Sequence, residues 1–382
     1  MKTIIRCLPK SVDPYLLLGS SIWLYKYGNV YDQIYDDFPD IGIYKASMTI
    51  EGDDLIKMPK SVGVGSIEIA TIVDNLKPDL MITIADRYET LATATVAAYC
   101  NIPLIHLQGG EVSGTIDDKV RNTITQLADY HFPATNLAAT RIATMRGSRE
   151  NIWNFGCPSM DLMIGWDFMK TLYRNKLAES FDADHKQLCK DGRLTAFAKV
   201  NAHGYGDEIT NEKNHIIVMI HPDTKNPITR KNIDTLFDVL NGYENYQKIV
   251  FWNNIDPGGE MISKEIRFTQ ERYWNSPVRF LKHIEPEAFG ALLYFASAIV
   301  GNSSAGIREA SFIGTPSISV GDRQRGREHA DNVRFSDWDE YELRCNVKRA
   351  VCSIHPYSSA LYGVGDAGMR IAAKIGEIAD AI

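Results

Sequence analysis

The sequence predicts an α/β protein built from two doubly wound domains. Short apolar runs alternate with helical segments between Pro78 and His131, and the same alternation returns between His215 and Val320. These apolar runs are only four to six residues long, as expected for strands that are buried on both faces of a parallel sheet. Strands that alternate with helices indicate βαβ units, so each half of the chain is predicted to form one such domain.

The best-defined unit carries acidic residues at the ends of its strands. The strand Asp79–Ile84 stops before Asp86, and the strand Ile102–Leu107 stops before Glu111. A further acidic pair, Asp117-Asp118, stands where the next helix begins. Ligands bind at the carboxyl edge of open parallel sheets. Three acids at that edge suggest proton transfer on a bound small molecule.

Composition excludes several classes of protein. The chain has 382 residues, enough for two domains, and its hydrophobic content of 45% and charged content of 23% are those of an ordinary globular protein. A net charge of -7 argues against nucleic-acid or membrane-surface binding, and no apolar run approaches the ~18 residues of a membrane span. Without a signal-peptide pattern, the six scattered cysteines are predicted to be reduced packing residues of a cytoplasmic protein. No cluster has metal-ligand spacing, so we predict neither a metal nor a cofactor.

The first domain is predicted to span residues 1–165, with an unusual start. Lys2–Arg6 resembles the end of a helix, and Pro14–Ser21 a strand that runs into a loop. Helices are predicted over Trp23–Tyr35 and Lys60–Leu76. Doubly wound domains normally begin with a buried strand and a glycine-rich turn. We find neither, so either the true start of the domain lies upstream of this sequence or the protein lacks its first strand.

The remaining boundaries follow from the apolar pattern. Tyr130–Ala134 is predicted as a strand, Leu137–Gly147 as a helix, and Asn154–Pro158 as the strand that closes the first domain. A connecting helix and a polar linker are predicted over residues 166–213. The second domain is predicted over residues 214–365, and a closing helix over residues 366–382.

The second domain contains a candidate anion site. The strand Ala298–Val300 breaks into the loop Gly301–Glu309, where hydroxyls and backbone N–H groups at a strand-to-helix turn favour a diphosphate. Glu309 is placed to accept hydrogen bonds from a ribose, and His221, which follows the strand His215–Ile220, is placed to add a donor. Each signal alone is weak, because such a turn is about as often a simple helix cap and such a histidine is more often structural.

Several motifs resemble one known family. The motifs are Asp86-Arg87-Tyr88-Glu89-Thr90, Gly109-Gly110-Glu111-Val112-Ser113-Gly114-Thr115-Ile116-Asp117-Asp118, His221-Pro222, Gly301–Glu309 and Arg323–Glu328. In this order they resemble the UDP-N-acetylglucosamine 2-epimerase family, and the Glu-Val-Ser-Gly-Thr-Ile-Asp-Asp run resembles its hydrolysing branch. The resemblance covers roughly residues 15–380. It implies a GT-B-like fold, in which two Rossmann-like domains face each other across a cleft and the second mainly holds the nucleotide.

The resemblance also implies a reaction and residue roles. Enzymes of this branch convert UDP-GlcNAc and water to N-acetylmannosamine and UDP through an anti elimination to a glycal, for sialic-acid-type or surface-polysaccharide sugars. Asp86, Glu111 and Asp117 match the catalytic acids, with Asp118 a possible substitute for its neighbour and the two proton transfers left undivided. The implied partners are UDP-GlcNAc or a related UDP-2-acetamido sugar and a second copy, as homodimer or homotetramer. The substrate-binding positions are His221, Asn253, Ser303, Ser304, Gly306, Glu309 and Arg323.

Some alternatives stay open at the sequence level. Asp86 and Asp117 are also good helix caps, Arg121 could simply neutralise neighbouring acids, and Arg323 is as well explained by a surface salt bridge. The sequence also departs from the family. Residues 1–14 contain no Gly-x-Arg loop, Ala85 stands where glycine is usual, and Asn122 stands where histidine is usual.

Three classes of function therefore compete. The first is an active hydrolysing epimerase, acting on UDP-GlcNAc or on another UDP-sugar such as UDP-diacetylbacillosamine. The second is a GT-B glycosyltransferase, which gives no reason for three acids on the first domain. The third is a non-catalytic binder of nucleotide sugars, suggested by the missing loop and by Asn122.

Overall fold

The computed structural model divides into two compact units. It describes residues 1–28, 30–164, 183–271, 274–353 and 358–382. Unit 1 contains Met1–Pro158 together with Tyr362–Ile382, and unit 2 contains Ser159–Leu361. The C-terminal helix is thus part of unit 1, and the chain enters unit 2 at Ser159, before the predicted boundary at residue 165.

Unit 1 contains five strands and seven helices within its described residues. The strands are β1 (Tyr15–Leu18), β2 (Gly42–Lys45), β3 (Met81–Ile84), β4 (Leu104–Leu107) and β5 (Tyr130–Phe132). The helices are α1 (Lys2–Cys7), α2 (Val30–Asp37), α3 (Lys57–Leu76), α4 (Tyr88–Tyr99), α5 (Asp117–Leu127), α6 (Asn136–Arg146) and the C-terminal α14 (Ala367–Ala379).

The strands of unit 1 form two separate parallel sheets. β1 pairs with β2, and β3, β4 and β5 form a three-stranded sheet in that order. Within the described residues no strand joins the two sheets, so β1 and β3 are both edge strands. β4 is buried along its whole length, whereas Ile82 and Ile84 of β3 are only half-buried.

Helices cover both faces of the three-stranded sheet. Residues that alternate along a strand point to opposite faces. Leu104 of β4 packs with Ile69 of α3 and the alanines of α4, whereas Ile105 packs with Ile4 of α1 and Ile371 of α14. The result is a three-layer arrangement around a fully buried central strand.

Unit 2 contains seven strands and seven helices within its described residues. The strands are β6 (Tyr205–Gly206), β7 (Asn214–Met219), β8 (Tyr246–Phe251), β9 (Val278–Leu281), β10 (Ala298–Gly301), β11 (Ser317–Val320) and β12 (Val333–Ser336). The helices are α7 (Ser159–Ile164), α8 (Ala183–His203), α9 (Arg230–Asn241), α10 (Gly259–Gln270), α11 (Pro286–Phe295), α12 (Glu309–Ile313) and α13 (Glu340–Cys352).

The sheet of unit 2 is doubly wound. Its strand order is β12-β11-β10-β7-β8-β9-β6, and all neighbours are parallel except β6 and β9. After the short edge strand β6, the chain enters the middle of the sheet at β7, runs outward to β9, and returns to β10 on the other side of β7. The order therefore reverses between β7 and β10, the position where open α/β sheets bind their ligands.

Several predicted elements are wrong. Trp23–Tyr35 is not one helix, because short 3-10 turns at Ser20–Trp23 and Tyr25–Tyr27 precede α2. Asn154–Pro158 forms no strand, and the bridge next to His131 falls at Ile152 instead. The short strands β2, β6 and β12 were not predicted.

The predicted linker is also wrong in part. Residues 166–182 lie outside the described residues, but α8 occupies much of the remainder. Ala196, Phe197 and Val200 of this helix are buried, and α8 packs against α11. Buried apolar contacts of this kind make α8 part of the core of unit 2.

The cysteines are less buried than predicted. Cys157 is buried and Cys345 half-buried, whereas Cys7, Cys100 and Cys352 are exposed, all with free thiols. The side chain of Cys189 lies outside the described residues. No helix of the described chain combines the length and the hydropathy that a membrane span requires.

Three strands bury a histidine. Burial lowers the pKa of His106 in β4 to about 4, of His131 in β5 to about 3 and of His215 in β7 to about 4. Among the described residues, neither ring nitrogen of His131 has a hydrogen-bond partner. In the unfolded chain these histidines take up a proton near pH 6.5, whereas in the folded chain burial keeps them neutral to lower pH. Their contribution to the free energy of unfolding should therefore fall as the pH drops below 6.5 and should be constant above it.

His131→Leu should reduce this sensitivity to acid. The substitution fills a similar volume, loses no hydrogen bond and removes one proton-linked site. We expect the free energy of unfolding at pH 7.5 to be equal to or greater than that of the parent. Between pH 7.5 and pH 5 this free energy should fall by about 2 kcal/mol less than in the parent. Urea unfolding at both pH values measures this, with His203→Leu at an exposed position as the control. An unchanged loss in His131→Leu would contradict the assignment.

Candidate functional site

Two strained turns present the acids of unit 1. Ala85, directly after β3, has φ +62°, and Gln108, directly after β4, has φ +60°. A side chain makes this left-handed conformation unfavourable. Nε2 of buried His106 lies 2.8 Å from the Ala85 carbonyl oxygen, and Nδ1 lies 3.1 Å from Thr125 Oγ1. The neutral ring therefore carries its proton on Nε2 and fixes the turn that leads into Asp86.

The Gly109-Gly110 turn also restricts the position of Glu111. A Cβ on Gly110 would lie 2.3 Å from the Ala138 carbonyl oxygen, so the backbone of this turn touches that of α6. Only glycine permits such an approach at a positive φ. Glu111 follows in a position where its side chain is 6% exposed.

One buried arginine contacts all three acidic segments. Arg121, one turn into α5, is 1% exposed. Its guanidinium forms an ion pair with Asp86, forms a second with Asp118 at 2.6 Å, and donates to the Glu111 carbonyl oxygen at 2.6 Å. The ends of β3 and β4 and the start of α5 are thus held around one cation. The predicted grouping of Asp86, Glu111 and the Asp117-Asp118 pair at one edge agrees with this geometry.

The two neighbouring aspartates differ in environment. Asp118 accepts hydrogen bonds from the Ser113 N–H, the Ser113 hydroxyl and the Gly114 N–H, all within 2.8 Å, besides its contact with Arg121. Burial alone would raise the pKa of this carboxyl, but the donors from Ser113 and Gly114 and from Arg121 outweigh it and lower the pKa. Its oxygens already accept four hydrogen bonds, which makes it a poor proton acceptor. Asn122 lies on the exposed side of α5, outside the Arg121 contacts.

In unit 2, the reversal point between β7 and β10 is closely packed. A Cβ on Gly301 would lie 1.9 Å from the Met219 carbonyl oxygen, so no larger residue fits there. The Asn302 amide accepts from the His221 N–H at 2.7 Å and donates to the His221 carbonyl oxygen at 2.8 Å. This 2% exposed side chain therefore fixes His221 next to the Gly301–Glu309 loop.

His221 is held in one tautomer. Its Nδ1 accepts the Asn254 N–H at 3.2 Å, so in the neutral ring the proton is on Nε2. An Nε2–H group beside a strand-to-helix loop is a suitable donor for an anion.

The loop after β10 offers further polar groups. Ser303 caps the 3-10 turn Ser304–Gly306 by accepting the Ala305 N–H, and Ser304 Oγ lies 3.4 Å from the Arg308 guanidinium. Gly306 is buried against Ser317.

Glu309 has an unusual carboxyl group. Its Oε2 is sealed from solvent and has no hydrogen-bond partner among the described residues. Burial raises the pKa of this carboxyl, although Arg308 acts in the opposite direction. An unsatisfied buried oxygen requires a partner, and the hydroxyl groups of a ligand would supply one.

Two predicted substrate contacts already have partners within the protein. The Asn253 amide is 3% exposed, donates to the carbonyl oxygens of Asn254 and Gly259, and accepts from the Ser263 hydroxyl at 2.7 Å. Its polar groups are used within its own loop, so it supports that loop. Arg323 donates to the Asn302 carbonyl oxygen at 3.2 Å and lies 3.6 Å from Asp256, in agreement with the salt-bridge alternative.

Arg121 and Asn302 were not predicted as site residues. The three-residue spacing from Asp118 to Arg121 is a salt-bridge signal that could have identified the arginine. Nothing in the sequence around Asn302 indicates its pairing with a residue 81 positions away. In the described part of the chain, no group of three or more His, Cys, Asp or Glu side chains is suited to a metal ion.

The chain resembles known proteins over most of its length. The model of the UDP-N-acetylglucosamine 2-epimerase family matches residues 23–376. A hydrolysing UDP-N,N'-diacetylbacillosamine 2-epimerase from Legionella pneumophila is 31% identical over 90% of this chain and 82% of its own. A hydrolysing GDP/UDP-N,N'-diacetylbacillosamine 2-epimerase from Campylobacter jejuni is 27% identical over 83% and 75%.

A solved structure agrees with the fold. The UDP-GlcNAc 2-epimerase from Neisseria meningitidis, bound to UDP-GlcNAc, superimposes with a TM-score of 0.73 at 15% identity, over 99% of this chain and 96% of that one. The predicted α/β fold of the GT-B class is confirmed.

Ala85→Gly should stabilise the chain. Glycine adopts the φ of +62° without the side-chain clash, and the His106 hydrogen bond to the carbonyl is retained. We expect a gain in the free energy of unfolding of about 1 kcal/mol, measured by urea titration. The same change at Ala70, exposed in α3, should cost about 1 kcal/mol, because there glycine only adds backbone freedom. Equal losses at both positions would contradict the strained turn.

Proposed function

The chain belongs to the UDP-N-acetylglucosamine 2-epimerase family, and from that premise we propose that it is a hydrolysing 2-epimerase of a UDP-linked 2-acetamido sugar. The reaction removes the C2 proton of the sugar, breaks the C1–O bond to UDP and leaves a glycal. Water then adds its hydroxyl at C1, and a proton returns to C2 on the opposite face. The products are the free C2 epimer and UDP.

The Arg121 cluster is the observation that carries the proposal. Two proton transfers at carbon need a base and an acid near the reacting centre. Asp86, Glu111 and Asp117 lie on three segments that one guanidinium ties together. A glycosyltransferase acting at the nucleotide site would have no use for such a cluster.

We assign the chemistry to Asp117 rather than Asp118. The oxygens of Asp118 already receive four hydrogen bonds, which hold the Ser113–Gly114 segment against α5. Asp86 and Glu111 complete the catalytic set. The two proton transfers are not divided among the three acids.

Unit 2 would bind the leaving group. The C2 proton is weakly acidic, so the elimination requires a well-stabilised diphosphate. His221 Nε2–H and the hydroxyls of Ser303 and Ser304 are suitable donors. Glu309, with its unsatisfied oxygen, would accept from the ribose hydroxyls. Asn302 acts indirectly, by fixing His221 to the loop.

Two sugars are candidates. UDP-GlcNAc is the substrate implied by the motifs, and would give N-acetylmannosamine. UDP-N,N'-diacetylbacillosamine is favoured by the names of the two relatives from Legionella and Campylobacter. Both share the 2-acetamido group and the UDP that the proposed site recognises. We also propose that the enzyme is a cytoplasmic homodimer or homotetramer.

A proton NMR time course in D2O tests the reaction directly. With the substrate of this enzyme we expect release of UDP together with the free C2 epimer deuterated at C2, because the new C2 hydrogen comes from solvent. The sugar that turns over identifies the substrate. Formation of an epimerised UDP-sugar without release of UDP would contradict hydrolysis. No turnover of either sugar, with UDP still bound, would favour a non-catalytic binder.

Acid variants should separate catalysis from binding. Asp86→Asn, Glu111→Gln and Asp117→Asn should each lower kcat by about 10²-fold or more while the Kd for UDP, measured by calorimetry, changes little. His221→Ala is the converse control, because it should weaken UDP binding. Asp118→Asn should mainly lower the free energy of unfolding, since it removes a partner of buried Arg121. Full activity in Asp86→Asn or Glu111→Gln would refute the assignment of that residue.

A further inference from the structure

A surface cavity lies at the edge of the sheet in unit 2, two strands away from β10. It has a volume of about 460 Å³ and is formed between the edge strand β12 and the helix α13. Neither the proposed reaction nor the family motifs use it. Its size falls within the range of about 300–1,000 Å³ that is typical of small-molecule sites.

Two arginines of the cavity wall are available to a ligand. Arg334 of β12 and Arg349 of α13 are exposed, and neither forms an ion pair or hydrogen bond with another residue in the described ranges. Neighbouring arginines are occupied, since Arg344 pairs with Glu340 at 2.8 Å and Arg325 pairs with Asp322 at 2.7 Å.

The wall also contains one acid. The Glu342 carboxylate accepts the Asp337 N–H at 3.1 Å. With Arg334 and Arg349 counted as two positive charges and Glu342 as one negative charge, the wall has a net charge of +1. This charge favours an anionic ligand.

A buried amide points to a polar ligand. Asn346 lines the cavity and is 7% exposed, yet its side chain forms no hydrogen bond with any described residue. Its amide oxygen and nitrogen are open to the cavity, so they can bond to a polar ligand. Residues 342, 346 and 349 recur at helical spacing and share the face of α13 that lines the cavity.

The remaining wall includes the Tyr341 ring, which is 78% exposed. Val333 and Phe335 flank Arg334 in β12, so their side chains point to the opposite face of the sheet and leave Tyr341 as the aromatic contact. A planar group would stack well on the exposed Tyr341 ring.

We propose that this cavity is a second ligand site, which binds a phosphate monoester carried on a flat ring system. Arg334 and Arg349 hold the phosphate dianion through charge-assisted hydrogen bonds, the Asn346 amide supplies a further donor, and the ring lies on Tyr341. The site belongs to unit 2 alone and does not depend on the proposed epimerase activity.

Cys345 provides a local readout. This half-buried thiol lines the cavity, whereas Cys7 and Cys352 are exposed and lie outside the lining. The full chain is titrated with phenyl phosphate, pulsed with N-ethylmaleimide and analysed by peptide mass spectrometry. We expect saturable protection of Cys345, at least fivefold at saturation, with Cys7 and Cys352 modified at their original rates. No saturable protection would overturn the proposal.

Substitutions test the mode of binding. Arg334→Gln with Arg349→Gln should raise the concentration of half-maximal protection by about tenfold or more. Arg344→Gln, on the same helix but outside the lining, is the matched control and should leave it unchanged. Circular dichroism checks that each variant is folded. Unchanged protection in the double variant would exclude the arginines as ligands, and equal protection by inorganic phosphate would exclude the ring contact. Either result refutes the site as proposed.

Discussion

The carboxyl edge of the three-stranded sheet in unit 1 depends on one buried cation, the Arg121 guanidinium. Arg121 has almost no access to solvent, and a guanidinium in that position is tolerated only when its charge and its donors are matched. Asp86 and Asp118 match the charge, and the Glu111 carbonyl takes a further donor. The same contacts bring three chain segments together at the ends of β3 and β4. Asp118 in turn orders the Ser113–Gly114 segment, so the candidate chemistry and the local stability rest on one network.

In unit 2 a neutral side chain, the Asn302 amide, joins separate chain segments at the candidate site. The Asn302 amide joins the loop after β10 to the main chain of His221, and the Asn302 carbonyl accepts from Arg323 and Gln324. An amide can order several segments without bringing a charge of its own. The Asn302 amide therefore adds no charge at the loop, where the charges come from the ligand and from the groups that contact it. The acidic edge needs a cation at its centre, whereas a site for an anion is better organised by a neutral side chain.

Sequence patterns predicted those parts of the structure that depend on short segments. The buried strands, the placement of Asp86, Glu111 and His221 at strand ends, and the α/β class all follow from apolar runs and the residues that end them. The splitting of the unit 1 sheet and the short strands β2 and β12 depend on pairing with distant segments, which no local pattern records. Asn253 looked like a ligand contact because it follows a strand, but tertiary contacts with Gly259 and Ser263 use its amide. Likewise α8 was predicted as a connecting helix outside both domains, because its many polar residues conceal a short buried stripe.

The split sheet makes unit 1 uneven in its resistance to local opening. Within the described residues β1 and β2 pair only with each other as strands, and α2 between them buries no residue. Their hold on the rest of unit 1 comes from a few side chains, such as the Ser20 hydroxyl donating to Glu89. The three-stranded sheet, by contrast, has a fully buried central strand and helices on both faces. Amide hydrogens of residues 15–45 should therefore exchange with solvent through small fluctuations, while those of β4 wait for global unfolding. The acids of the candidate site are anchored to the slow-exchanging part.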